Sequence, residues 1–333
     1  MLRAEAAALG AAAPFVAPLV ARMARTGAGT DACLRRGALP LPVHFYSPVP
    51  DLADLDARGV HARRSALGGI EFREAEQLAR LQRLGDAFGK ECDWPSEPTG
   101  APDRFFTENG GFSFGCAAST HCLLRDARPR RVVEIGSGNS TLVIAGALRR
   151  NGDGADYTVV DPYPGPVVRQ GLPGVTRLLP QRVELLDPAF FDALGAGDVL
   201  FVDSGHTVRT GGDVNYLVLD VLPRLAPGVL VHFHDIPMPY EYHRAYHRNP
   251  AFRVFWTESY LVQAFLAFNA EFEVLLALRW LLTEHEAAVR AAFPSFDPLR
   301  HRARSESLWL RRRPDEDRGL PDEDRGWPRA DRG

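Results

Sequence analysis

One short stretch decides the fold of this chain: VVEIGSGNST, residues 132–141. Its β-branched residues predict a buried strand that ends close to Glu134. The next residues, Gly136 and Gly138, predict a tight turn, because glycine accepts backbone angles that other residues avoid and lets a ligand approach bare backbone. A helix should follow over Leu142–Leu148, capped by one of the polar residues before it.

The acid at the strand tip indicates which ligand this turn favours. In dinucleotide folds, the turn carries a third glycine and holds a pyrophosphate at the N-terminus of the helix. Here Thr141 occupies the third position, and Glu134 would repel a pyrophosphate. The stretch therefore favours a cationic or zwitterionic ligand.

A second short strand, Tyr157–Val160, ends at another acid, Asp161. An acid at this point of a βαβ unit accepts hydrogen bonds from ribose hydroxyls. Two acids and two glycines in this order resemble the class I S-adenosylmethionine-dependent methyltransferases. The resemblance implies S-adenosylmethionine as the cofactor, with its methionine end at Glu134, its ribose at Asp161 and its adenine near Asp187. The cofactor-binding residues implied in this way are Glu134, Gly136, Ser137, Gly138, Asn139, Ser140, Asp161, Asp187 and Asp203.

Composition limits the partners. The chain has 333 residues, 45% of them hydrophobic and 24% charged, as in ordinary globular proteins. A formal net charge of −3 gives no electrostatic case for nucleic acid as a partner. We expect no membrane span, because no run of about 20 uninterrupted apolar residues occurs. The apolar start contains Pro14 and Pro18, so we expect no signal peptide but a cytoplasmic protein with free thiols. The sequence does not decide whether the protein forms a homo-oligomer.

The pattern of strands and helices continues along the rest of the chain. Further strands are predicted at 182–186, 198–202, 229–233, 272–277 and 307–310, with helices at 214–225 and 280–292 among those between them. Seven strands mostly separated by helices predict an α/β fold, a doubly wound and mostly parallel sheet with an antiparallel hairpin at one edge. With the resemblance, this is a Rossmann-like methyltransferase fold with an N-terminal helical cap. The predicted division is a cap or lid at 1–104, the methyltransferase domain at 105–312, and a disordered repeat tail at 313–333.

Polar side chains gather where the parallel strands end, which is the edge at which open α/β sheets bind ligands. The fourth strand leads into Asp203 and His206, and the fifth leads into His234 and Asp235. We expect these four residues to be catalytic. Either histidine, oriented by one of the acids, suits the role of a general base that deprotonates an acceptor, since histidine titrates near neutral pH.

Two other interpretations stay open. In the first, Asp203, His234 and Asp235 hold a divalent metal, in a metal-dependent O-methyltransferase or a metal oxygenase on the same fold. Histidine is a poor ligand for magnesium, so the metal-free base is favoured and no metal ligand is assigned. In the second, the fold binds the cofactor without catalysis and serves as an interaction module.

Several stretches are similar to a bacterial subgroup of these enzymes, the methyltransferase family 24-like proteins. They lie at 45–48, 108–112, 134–141, 203–206, 213–216, 232–236 and 258–266. The likeness spans roughly 44–312, and we expect O-methylation of a small molecule or a sugar, although the motifs do not identify the acceptor.

The same likeness implies residues near the acceptor. Tyr46, Asn109 and Phe112 would belong to a lid over the methionine end of the cofactor. Glu258 and Tyr260 would face the acceptor. One position departs from the pattern, because Cys116 stands where an acid is expected.

Overall fold

The computed structural model describes residues 2–152, 154–301 and 305–314. Their contacts divide them into two compact units. The first comprises the chain up to Arg63 together with His243–Phe255, and the second comprises Arg64–Tyr242 and the chain from Trp256 onward. The predicted domain boundaries stay predictions, and the repeats at 315–333 lie outside the described residues.

The second unit is built on a seven-stranded sheet. Its strands are β1 (Arg131–Ile135), β2 (Asp156–Val160), β3 (Arg177–Leu179), β4 (Val199–Val202), β5 (Leu230–Phe233), β6 (Phe272–Ala277) and β7 (Leu308–Arg312). Their order in the sheet is β3-β2-β1-β4-β5-β7-β6. Strands β1 to β5 pair in parallel, and β7 runs antiparallel to both β5 and β6. The predicted doubly wound sheet with an antiparallel edge hairpin is confirmed.

Helices connect and cover these strands. They are α1 (Leu2–Thr26), α2 (Thr30–Leu34), α3 (Leu52–Ala57), α4 (Glu74–Phe88), α5 (Phe114–Ala127), α6 (Asn139–Asn151), α7 (Pro166–Arg169), α8 (Asp213–Asn215), α9 (Arg244–Arg248), α10 (Glu258–Leu266), α11 (Leu278–Glu284), α12 (Glu286–Ala292) and α13 (Pro298–His301). All residues of β4 and β5 are buried, as expected for parallel strands covered on both faces.

Three local expectations need correction. The strand predicted at 182–186 is wrong, because Val183–Leu185 forms a short 3₁₀ turn and β3 lies a few residues earlier, at the sheet edge. The helix predicted at 280–292 is broken at His285, where the backbone leaves helical geometry. The helix predicted at 214–225 has a π-helical middle, Tyr216–Val221.

The first unit contains α1, a helix of 25 residues with Pro14 and Pro18 inside it. In the same unit, Asp51 caps α3 by accepting hydrogen bonds from two backbone N–H groups. Arg244 and Arg248 of α9 both pair with Asp56 of α3, and these ion pairs tie the two segments of the unit together. Among the residues that the structure describes, no helix combines the length and the apolar character that a bilayer crossing requires.

Candidate active site

Gly136 lies where the ends of β1, β2 and β4 meet. Its φ is +86°, and a Cβ at this position would lie 1.9 Å from the carbonyl oxygen of Asp203. The N–H of Gly136 donates to Val160 at the end of β2, and the N–H of Asp203 donates to Ile135 at the end of β1, each at 2.9 Å. Only glycine fits between these neighbours, so the sharp turn after β1 follows from the sequence.

Gly138 presents bare backbone to open space. No heavy atom lies within 4 Å of the position of a Cβ on Gly138. Its N–H donates to the hydroxyl of Thr141 at 2.9 Å, so α6 begins at Asn139, three residues before the predicted start. A cavity of about 350 Å³ borders Gly138 and Asn139, with Phe106 and Val168 among its other walls. A cavity of this size fits a nucleoside-sized ligand.

Glu134 lies fully buried beneath the turn. Its Oε1 accepts a hydrogen bond from Ser140 at 2.7 Å, and its Oε2 accepts one from the hydroxyl of Tyr157 at 2.5 Å. Burial raises the pKa of Glu134 to about 8, although these hydrogen bonds oppose the shift. A positive charge bound nearby would favour the ionised form, which agrees with the cationic or zwitterionic ligand expected from the sequence.

Sequence reasoning missed Tyr157, although strand alternation could have found it. Tyr157 lies on β2 opposite Val132, two positions before the partner of Glu134. Alternate residues of a strand share a face, and diagonal neighbours on adjacent strands are within reach of a long side chain. A tyrosine on β2, two positions before the residue that pairs with Glu134, can therefore reach the carboxylate of Glu134 and donate a hydrogen bond to it.

Asp161 lies at the tip of β2, beside the same turn. Its Oδ2 accepts a hydrogen bond from Ser137 at 2.5 Å, and its Oδ1 accepts one from the N–H of Tyr163 at 2.7 Å. Two serines of the turn, Ser137 and Ser140, thus hold the two acids. The partly exposed carboxylate of Asp161, the bare backbone of Gly138 and the cavity beside Gly138 fit a nucleoside that carries a charged amino-acid arm.

The acids at the ends of β4 and β5 meet around His206. The Nε2 of His206 lies 3.3 Å from Oδ1 of Asp203 and 3.7 Å from Oδ2 of Asp235. Its Nδ1 lies 2.8 Å from Oε2 of Glu258, at the start of α10. Three of the four predicted catalytic residues are therefore in contact, and Glu258 completes the group.

Charge interactions set the protonation of this group. Burial favours the neutral ring of His206, but hydrogen bonds to Asp203 and Glu258 outweigh it and raise the pKa of His206 to about 10. Burial also opposes the charge on Asp203, but the positive charges of His234 and His206 lower the pKa of Asp203 to about 2. At neutral pH, His206 is thus an imidazolium between carboxylates.

Backbone strain marks the same two strand tips. His206 and Asp235 have φ angles of 52° and 54°, in the left-handed region that non-glycine residues rarely adopt. The carbonyl oxygen of His206 accepts hydrogen bonds from the N–H groups of Thr257 and Glu258, at 2.9 and 3.1 Å. Strained residues of this kind persist where the surroundings hold them, and they cluster at functional sites.

His234, the fourth predicted catalytic residue, is buried next to this group. Its Nε2 lies 3.5 Å from Oδ1 of Asp235. Burial favours the neutral ring, but the charges of Asp235 and Asp203 and a hydrogen bond to Cys116 raise the pKa of His234. The ring of Phe112 lies 5.0 Å from the ring of His234. Cys116, which stands in place of an acid, therefore touches the cluster through His234.

The residues predicted to lie near the acceptor have varied surroundings. Asn109 uses its whole side-chain amide within its own loop, bonding Phe106, Gly111 and Phe112. Phe112 is 2% exposed and packs in the core. Tyr260 is half exposed, and its hydroxyl donates to Glu241 at 2.7 Å.

The three remaining residues differ in burial and in their hydrogen bonds: Glu258, Asp187 and Tyr46. Glu258 is completely buried against His206, so its carboxylate acts on the histidine. Asp187 caps the short 3₁₀ helix Pro188–Ala193 by accepting from the N–H of Ala189 at 2.9 Å. Tyr46 belongs to the first unit and is 86% exposed. The cofactor and acceptor roles of these residues stay predictions.

Trp256 is a neighbour of the cluster that the sequence did not indicate. Its ring lies 4.6 Å from the ring of His206, tilted by 54°. The π face of an indole attracts a cation, so Trp256 favours the protonated form of His206. Among the described residues, no group of three or more histidine, cysteine or acidic side chains is arranged to hold a metal ion.

Comparison with known proteins identifies the class. The family model described as a methyltransferase domain, of methyltransferase family 24, matches residues 133–236, which include the glycine turn and the ends of β1, β2, β4 and β5. The resemblance seen in the sequence is thereby confirmed. The match supports a class I S-adenosylmethionine-dependent methyltransferase domain, with S-adenosylmethionine as its cofactor. The match supports the predicted enzyme.

Individual relatives are distant. An uncharacterised protein of Archaeoglobus fulgidus is 29% identical over 161 residues, which cover 46% of this chain and 72% of that protein. The structure of the Podospora anserina methyltransferase PaMTH1 with bound S-adenosylhomocysteine is similar at 16% identity and a TM-score of 0.38, over 80% of this chain and 99% of that one. A DUF574 family protein of Streptomyces avermitilis is similar at 18% identity and a TM-score of 0.38, over 72% and 97% of the two chains. These likenesses identify no acceptor for this chain.

Proposed function

We propose that this protein transfers the methyl group of S-adenosylmethionine to an oxygen of a small molecule or a sugar, with a histidine and aspartate pair as the general base. The observation that carries this proposal is the contact of His206 with Asp203 at the tip of β4, whose backbone also closes the glycine turn. The proposed cofactor site and the proposed general base therefore both lie at the end of β4. Direct methyl transfer requires this, because the cofactor and the acceptor must be bound next to each other.

The cofactor supplies a methyl group already activated by a sulfonium, so the protein has to align the acceptor and remove its proton. Glu134, Asp161 and the bare backbone of Gly138 would hold the cofactor. His206 would accept the acceptor's proton through Nε2, the nitrogen that faces Asp203 and Asp235. Glu258 fixes the opposite nitrogen and so orients the ring.

The protonation of His206 places a condition on this mechanism. With its pKa raised to about 10, the ring already carries a proton at neutral pH and must lose it before it can act as a base. A cation bound beside Asp203 would compete for that carboxylate and lower the pKa of His206. We therefore propose that the base form becomes available mainly when the cofactor is bound, and that the methylation rate rises toward alkaline pH.

The metal-dependent alternative assigns Asp203, His234 and Asp235 to a divalent ion. In the structure, the Nε2 of His206 lies between the carboxylates of Asp203 and Asp235. A protonated imidazole there offsets both negative charges, which is the electrostatic role that the ion would have in the alternative. This geometry favours the metal-free mechanism, and a chelator should leave the turnover unchanged.

The test is a screen for acceptor-dependent release of S-adenosylhomocysteine. The protein is incubated with S-adenosylmethionine and a panel of phenols, catechols and hydroxylated sugars. We expect release with at least one hydroxylated acceptor, loss of that release in His206→Asn, and normal release in the control His285→Asn, which lies between α11 and α12. Methylation of amines alone, or full activity of His206→Asn, would contradict the proposal.

The setting of the reaction is part of the proposal. The net charge of −3 and the thiols of all four cysteines, which are free, agree with a cytoplasmic enzyme whose partner is a small-molecule acceptor. Neither nucleic acid nor membrane is proposed as a partner. A homo-oligomer stays open, and sedimentation velocity of the purified chain would decide it.

A further inference from the structure

Arg80 on α4 carries a charge that no described carboxylate neutralises by direct contact. Its side chain is partly buried, and its Nε is fully buried without a hydrogen-bond partner among the described residues. Burial lowers the pKa of Arg80, and the positive charges of Arg311, Arg83 and Arg73 lower it further. A buried donor without a partner is costly and rare, and an anion bound beside Arg80 would satisfy it.

The carboxylates near Arg80 are already engaged by other arginines. Glu273 on β6 is almost completely buried and pairs with both Arg73 and Arg311. Asp126 at the end of α5 accepts two hydrogen bonds from Arg83, at 2.6 and 2.9 Å. Arg80 is therefore the arginine of this group that is left with an unmet charge.

Arg311 lies at the opposite end of the parallel strands from the glycine turn. Arg311 on β7 pairs with Leu230, the first residue of β5, so it marks the amino ends of the parallel strands. The candidate active site lies at the carboxyl ends. Arg80 and Arg83 are three residues apart on α4 and so lie on one side of that helix. A ligand held here would not touch the methyl-transfer site.

We propose that Arg80, together with Arg73, Arg83 and Arg311, forms a binding site for a phosphate-type oxyanion. We call these four residues the arginine cluster. A guanidinium presents several N–H donors in a planar fork that matches phosphate oxygens, and an oxyanion would supply the negative charge that Arg80 lacks. The ligand is either free phosphate or the phosphoryl group of a larger molecule.

The test is calorimetric titration of the full chain with sodium phosphate and with phenyl phosphate, at matched ionic strength. Wild type and Arg290→Gln, a control on an exposed residue of α12, should bind at least one of these ligands. Arg80→Gln should weaken the binding about tenfold or more, because charge-assisted hydrogen bonds are lost. Tighter binding of phenyl phosphate than of phosphate would indicate a phosphoryl group on a larger molecule.

Two controls keep the proposal falsifiable. Arg80→Lys keeps the charge and loses the planar fork, so it should bind more weakly than wild type and more tightly than Arg80→Gln. Thermal denaturation shows whether each variant is folded. Absence of binding to wild type by both ligands, or equal binding by wild type and folded Arg80→Gln, would overturn the proposal.

Discussion

The Nδ1 of His206 lies 2.8 Å from the Oε2 of Glu258, although 52 positions separate the two residues in the chain. Backbone hydrogen bonds from Thr257 and Glu258 to the carbonyl oxygen of His206 reinforce the same contact. The start of α10 therefore fixes both the main chain and the ring of the histidine that follows β4. As a result, Nε2 faces the carboxylates of Asp203 and Asp235.

The first prediction concerns the charge of this ring. The pKa of His206 is raised to about 10, so in the free protein its NMR signals should show a protonated ring across pH 6–8. Glu258→Gln removes one of the two hydrogen-bonded carboxylates, so the pKa of His206 should fall and deprotonation should begin at lower pH. Glu286→Gln, a change at the start of α12, is the control and should leave the His206 signals unchanged. A ring of His206 that titrates near 6.5 in wild type would contradict this description of the site.

The second prediction concerns the different roles of the two glycines in the turn, one in cofactor binding and the other also in stability. Gly138→Ala should fold normally, since its backbone is extended and its Cβ meets no atom within 4 Å, but it should bind S-adenosylmethionine more weakly if the ligand lies against that backbone. Gly136→Ala should lose stability as well, because its Cβ would lie 1.9 Å from the carbonyl oxygen of Asp203. Thermal denaturation and calorimetric titration distinguish the two effects. Unchanged cofactor affinity in Gly138→Ala would place the ligand elsewhere.

The third prediction is a proton linked to cofactor binding. Because the pKa of Glu134 is raised to about 8, most of the protein carries a proton on this carboxyl at pH 7. A bound cationic amino group favours the ionised carboxylate, so binding should release part of a proton, and the affinity should rise from pH 6 to 7.5. Calorimetry in buffers of different ionisation enthalpy measures the release. Glu134→Gln should abolish both effects, and equal proton release in that variant would assign the proton to another group.

The fourth prediction concerns stability at a tight helix contact. A Cβ on Gly85 of α4 would lie 2.5 Å from the Cα of Ala292 on α12, whereas one on Gly146 of α6 would meet nothing within 4 Å. Gly85→Ala should therefore lower the free energy of unfolding by about 1–3 kcal/mol. The matched change Gly146→Ala should raise it by about 0.5–1 kcal/mol, through helix propensity. Urea denaturation would refute the described packing if the two changes had the same sign.

The strands that the sequence predicted well are those buried on both faces. β4 and β5 consist of continuous apolar residues broken only by His232, and polar residues follow the last residue of each strand. The sequence therefore indicated both the extent and the direction of these strands. β3 was missed because it is a three-residue edge strand that begins with the exposed Arg177. The apolar residues of 182–186 resembled a strand, but they form a short turn.

The sequence predicted where the candidate site lies, but it predicted only some of the contacts and charges within the site. Strand ends located Asp203, His206, His234 and Asp235, since the carboxyl ends of parallel strands meet at one edge. The contact between His206 and Glu258 depends on a loop that folds back over 52 positions, and no local pattern encodes it. The charge of the ring could not be predicted either, because it depends on Asp203 and Glu258, two carboxylates from separate elements.

The most direct measurement for the central claim is calorimetric titration of the full chain with S-adenosylhomocysteine and with NAD⁺. We expect S-adenosylhomocysteine to bind, Asp161→Asn to weaken this binding by about tenfold through loss of the ribose contact, and NAD⁺ not to bind. The control Asp192→Asn, an exposed acid far along the chain from the turn, should bind like wild type. Failure of wild type to bind S-adenosylhomocysteine, or binding of NAD⁺ that depends on Asp161, would contradict the account.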